Sequence, residues 1–95
     1  MKNIKDLMKE FLGKEGMGDL SDLMRIREAW PNIMRGEKGK KTRPYRMEGN
    51  RLYIGVESHA WAQELHYDVE DIKKRIQEGL GIEIREVIIK KVNLK

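Results

Sequence analysis

The chain has no cysteine, which removes disulfide staples, thiol nucleophiles and cysteine-based zinc centres from consideration and suits a reducing compartment. Asparagine and glutamine are scarce, and only two prolines interrupt the chain. No apolar run approaches the roughly 18 residues that a membrane span needs. The opening MKNIKDLMKEF lacks the apolar block of a secretory leader. The expectation is a soluble cytoplasmic protein with no membrane partner.

What the chain has in plenty is charge. Of its 95 residues 38% are charged, with a net value of +4. That length makes one small domain, able to bury only roughly 60–65% of its unfolded surface. The positive excess is local. Arg35, Lys38, Lys40, Lys41, Arg43, Arg46 and Arg51 stand against only Glu37 and Glu48 within residues 35–51. An anionic partner is one reading of such a cluster; a solvated basic loop is the other.

Hydrophobic periodicity lays out the elements. Ile4, Leu7, Met8 and Phe11 form a short helical stripe within residues 1–12, and Gly13, Gly16 and Gly18 break it. Residues 1–18 are therefore expected to be an amphipathic N-terminal helix with a glycine-rich link, followed by one domain over 19–95. Asp19 is placed to cap a second helix, whose apolar face carries Leu23, Ile26, Trp30, Ile33 and Met34. Pro31 is expected to kink or restart it, and Gly36 and Gly39 to end it. RPYRME and RLYIGV then read as two strands, joined by the hairpin signal Gly49-Asn50. The closing IEIREVIIKKVNLK reads as one long strand with Ile82, Ile84, Ile88, Val92 and Leu94 inward. Whether it pairs with the first or the second strand is open.

SHAWAQELHY, residues 58–67, invites a catalytic or metal-binding reading that geometry removes. His59 and His66 are seven positions apart on a helix, about 10.5 Å along its axis, too far to share an ion bound at about 2.0–2.1 Å. Ser58 and His59 are adjacent and do not face each other on a helix. The stretch opens a helix instead. Trp61, Leu65, Val69, Ile72, Ile76 and Leu80 form its buried stripe, Ser58 caps it, and Gly79 and Gly81 stop it. No catalytic residue, metal or cofactor is expected. GEKG at 36–39 matches the GxxG loop that clamps a nucleic-acid backbone in KH domains; a helix end followed by a flexible loop accounts for the same glycines.

The order helix, helix, strand, strand, helix, strand, with AWPNIMRG, then Thr42 and Pro44, then GNRLYIGVESHAWAQEL and GLGIEIREVII, resembles the DciA family of bacterial replicative-helicase loaders. The likeness runs from residue 20 to about 90 and rests chiefly on the two spaced tryptophan motifs. It implies an α+β fold: a small KH-like domain with a three-stranded sheet packed against two main helices, plus the short N-terminal helix. It implies interaction with the hexameric replicative helicase and with DNA, and no nucleotide-binding motif; the chain has no GxxxxGK(S/T) loop. The family's prominent tryptophan maps onto Trp30. Many members carry a long basic extension beyond the domain, and the dense 35–51 segment is expected to take its place in DNA contact.

Two kinds of function follow. In one, a non-catalytic loading factor, expected to be a monomer, holds the helicase through Trp30, Pro31 and Met34. It holds single-stranded or forked DNA through Arg35, Lys38, Lys40, Lys41, Arg43, Arg46 and Arg51. Tyr45 and Tyr53 lie beside those cations, to stack on bases or to pack across strands. Trp30 is either core or interface anchor, whereas Trp61 is read as core. In the other, the chain is a KH-type single-stranded RNA-binding module without a helicase partner, for which Gly36→Asp or Gly39→Asp should cost RNA affinity. A pure protein-interaction domain would be indifferent to charge reversal at Lys40 and Lys41.

Overall fold

The computed structural model describes residues 16–92, so the helix expected over residues 1–12 lies outside the described residues. Helix α1 spans Gly16–Ile33 and the short α2 spans Glu37–Lys41. Strands β1 (Thr42–Glu48) and β2 (Arg51–Val56) follow, then α3 (His59–Tyr67), α4 (Val69–Leu80) and β3 (Glu86–Lys91). The sheet order is β1-β2-β3, antiparallel between β1 and β2 and parallel between β2 and β3. This is the expected α+β architecture, consistent with a small KH-like domain.

The helices pack on one face of the sheet. Leu23, Ile26, Trp30, Ile33 and Met34 of α1 and the turn after it meet Leu52, Ile54 and Val56 of β2. Leu65, Ile72 and Ile76 complete the cluster from α3 and α4. The expected face of α1 is therefore buried, and the second stripe is buried at Leu65, Ile72 and Ile76 and half-buried at Trp61, Val69 and Leu80. Ile26, Leu52, Ile54, Ile72 and Ile76 have no exposed surface, and truncating one to Ala would cost about 2–5 kcal/mol.

Four local expectations need correction. Helix α1 starts at Gly16, not beyond Asp19; the Asp19 carboxylate instead accepts a hydrogen bond from the Gly49 amide at 3.2 Å, tying the helix to the hairpin turn. Pro31 sits inside α1 without ending it. The long helix predicted from 59 to 80 is two helices, divided at Asp68 (φ −96°, ψ 0°). An apolar spacing of three and four residues survives such a break, which hides it from periodicity. The last strand covers only Glu86–Lys91. Ile82 and Ile84 are buried ahead of it, but Val87 and Ile89, not Ile88, pack on the core. The alternation slips by one residue between Ile84 and Val87, and the apolar run Val87-Ile88-Ile89 that follows gives a period of two no contrast to reveal its new phase.

Three expected boundary signals stand, while Gly79, expected as a stop, lies inside α4. Ser58 caps α3, its Oγ accepting from the Trp61 amide at 3.3 Å. Gly49 turns the hairpin at φ +61°, and Gly81 closes α4 at φ +69° with its amide bonded to the Gln77 carbonyl at 2.9 Å.

Candidate nucleic-acid and partner surfaces

The basic segment folds as α2, β1 and the start of β2, and its cations part company. Lys38 turns toward the α3–α4 junction, where its Nζ donates to the Asp68 carboxylate at 2.8 Å and lies 3.8 Å from Glu64. The hydrogen bond to Asp68 is the main reason its pKa is raised above the ordinary lysine value. Lys41 pairs with Glu57 at 3.4 Å, Arg46 with Glu48 at 2.7 Å and Arg51 with Glu86 at 3.3 Å. Lys40 lies 3.8 Å from Glu37. Among the described residues, only Arg35 and Arg43 of the seven predicted cations have no carboxylate within 4.0 Å. Lys38, Lys41 and Arg51 are thus matched by carboxylates from outside the segment, which charge counting along the chain does not reveal, while Lys40 and Arg46 take its own Glu37 and Glu48.

A β-bulge shapes the exposed side of β1. Pro44 pairs with Ile54 and Arg46 with Tyr53, leaving Tyr45 as the extra residue. Two consecutive side chains, Tyr45 and Arg46, are therefore exposed. Their rings and charge gather on Tyr53: the Tyr45 and Tyr53 centroids are 6.1 Å apart at 58°, and the Arg46 guanidinium lies 5.2 Å above the Tyr53 ring. Of the two roles expected for them, the tyrosines take the cross-strand packing, and Tyr45 is still 39% exposed.

Of the two places open to it, Trp30 takes the core. Trp30 is 4% exposed, and its indole N–H donates to Thr42 Oγ1 at 3.1 Å while the threonine hydroxyl donates to the Lys38 carbonyl. Met34 is equally buried, so of the expected partner patch only Pro31 is exposed. Trp61 is the half-buried one. It packs on the core and also lines a groove between α2 and α3, with Ala60 beside it and Arg35, Glu37, Lys38 and Glu64 on the rim. Its place on the same stripe as Leu65 hid this, because helix periodicity does not tell where the stripe runs out from under the core.

GEKG is not a clamp on a flexible loop. Gly36 has φ +75°, and Glu37 to Lys41 form α2. A Cβ on Gly39 would collide with the Met34 carbonyl oxygen, so replacing that glycine would disturb the fold before it tested any ligand. His59 and His66 are both exposed on α3. Among the described residues no three His, Cys, Asp or Glu side chains gather as a metal site, and no helix is long and apolar enough to cross a membrane.

Comparison with known proteins completes the picture. No curated protein matches the chain. The family model described as Dna[CI] antecedent, DciA, matches residues 3–89. With nearly the whole chain covered, and with the α+β fold and the tryptophan-bearing elements in place, the chain belongs to the DciA family, whose role is replicative-helicase loading in DNA replication.

Proposed function

We propose that this chain is a non-catalytic cytoplasmic loading factor that binds the hexameric replicative helicase and DNA and so promotes loading of the one onto the other. The family match over residues 3–89 carries the reading. The arrangement of the surface supports a division of labour. The groove at Trp61 is assigned to the helicase, because a half-buried tryptophan beside a small apolar residue, rimmed by charges of both signs, has the make-up of an interface anchor. Pro31 remains the exposed member of the patch expected at the end of α1. The DNA-facing cations are taken from Arg35, Lys38, Lys40, Lys41, Arg43, Arg46 and Arg51, with Arg43 most available and Arg35 standing on the rim of the groove. The RNA-module alternative loses its main support once Gly39 is explained by close packing on Met34.

Size-exclusion chromatography with light scattering tests the reading. The chain should co-elute with the replicative helicase of its own organism. Trp61→Ala, first shown to be folded by circular dichroism, should weaken that complex by about tenfold or more, the scale of a hot-spot residue. Failure to co-elute at low salt, with and without nucleotide and DNA, would sink the loader reading. Co-elution undiminished by Trp61→Ala would remove only the groove.

A further inference from the structure

The side of the sheet turned away from the helices is ordered in three rows. Strand pairing sets Arg43, Gly55 and Lys90 side by side across the sheet. The next row is Arg46, Tyr53 and Ile88, with bulged Tyr45 beside it, and the third is Glu48, Arg51 and Glu86. None of these residues belongs to the core cluster. The rows differ in chemistry. The first places two exposed cations, Arg43 and Lys90, on either side of the buried Gly55. The middle row is a shelf of two aromatic rings and an isoleucine. The last sums to one negative charge, with Arg51 paired to Glu86 and Glu48 to Arg46 of the middle row.

We propose that this face is a stacking site for single-stranded DNA, with one or two bases on Tyr45 and Tyr53 and the backbone directed to the Arg43–Lys90 end. The proposal rests on the DNA-binding part of the function above and names its site and mode. Aromatic rings on a sheet accept any unpaired base through its π-face, whereas a duplex keeps those faces covered. The charge gradient across the rows gives the strand a side: phosphates are drawn to the cationic row and repelled by Glu48 and Glu86. Arg43 has no carboxylate within 4.0 Å among the described residues. The Arg46–Glu48 pair is exposed on both sides, so a phosphate can replace the carboxylate at little cost. The Arg46 guanidinium, already over the Tyr53 ring, can stay there while binding a phosphate.

The test is fluorescence anisotropy with a labelled oligo(dT) of roughly twelve nucleotides, an abasic strand of the same length, the corresponding duplex and oligo(U). Tyr45→Ala and Tyr53→Leu are compared with Tyr45→Phe and Tyr53→Phe, all checked for folding by thermal melting. Oligo(dT) should bind at least fivefold more tightly than the abasic strand, given about 1–3 kcal/mol per stacked base. Each ring-removing variant should lose at least fivefold, and each phenylalanine variant should bind as wild type. Arg43→Glu should weaken both strands. Equal binding of abasic and oligo(dT) strands, or indifference to ring loss while DNA is still bound, would overturn the stacking site and leave the loader function standing. Tighter binding of oligo(U) would overturn the assignment to DNA. No binding of any strand at low salt would overturn this site together with the DNA-binding half of the function, whereas helicase co-elution would still be scored separately.

Discussion

Thr42 shows how much one side chain carries in a core this small. It is 3% exposed, it accepts the indole proton of Trp30, and it donates in turn to the Lys38 carbonyl, so α1, α2 and β1 meet at one hydroxyl. Valine has nearly the same shape and neither polar function. Thr42→Val should therefore cost about 1–3 kcal/mol, because it strands a buried donor and a buried acceptor. In thermal melts that is a fall of roughly 4–8 °C per kcal/mol. Adding Trp30→Phe, which removes the stranded donor, should cost less than the two single changes combined; an additive double variant would show that the hydrogen bond is not what Thr42 contributes. The same geometry makes Trp30→Ala a test of folding and not of partner binding.

At the scale of elements, the break between α3 and α4 is held from outside the helices. Lys38 of α2 reaches Asp68, and its pKa is raised, first by that hydrogen bond; burial opposes it next, and the charges of Asp68 and Glu64 each add a smaller upward pull. A raised lysine value means that the stabilisation is complete below the ordinary value of 10.5 and is lost as pH rises through the higher folded value. Both partners keep solvent contact, so the pair contributes about 1 kcal/mol or less. Asp68→Asn should lower the melting temperature slightly at neutral pH, and the gap from wild type should close in solutions well above pH 10.5. A gap that persisted there would mean that Asp68 acts through the helix ends instead. The elements themselves were largely legible in the sequence: the turn at Gly49-Asn50, the Ser58 cap and the stripe from Leu23 to Met34 are local signals. The parallel pairing of β2 with β3 and the link from Lys38 to Asp68 were not, because each depends on a neighbour distant in the chain, and the slip between Ile84 and Val87 was masked by the apolar run after it. The candidate site was legible in its residue types and not in its grouping, since five of the seven cations have found carboxylates within 4.0 Å.

Over the whole molecule, the proposed functions occupy different layers: the groove belongs to the helices and the stacking shelf to the sheet. That separation lets one small chain touch two partners at once, which a loading factor requires. It also fixes how DNA binding should respond to salt. If the strand engages Arg43, Lys90 and Arg46, three phosphates are neutralised, and the logarithm of affinity should fall against the logarithm of salt with a slope of about −2. All seven cations of residues 35–51 acting together would give a slope of about −5. A titration series between low and moderate salt separates the two, and the steeper value would return the DNA path to the whole basic segment.

The unequal burial of the two tryptophans also equips the protein with optical reporters that need no label. Trp30 is sealed against Thr42, so its emission follows unfolding and is shielded from collisional quenchers. Trp61, at the groove, is open to iodide and to an approaching partner. Neither indole lies in the tyrosine shelf. Quenching of the native chain thus reads the groove alone, and protection from iodide by helicase but not by oligonucleotide would tell the two occupied states apart in a single cuvette.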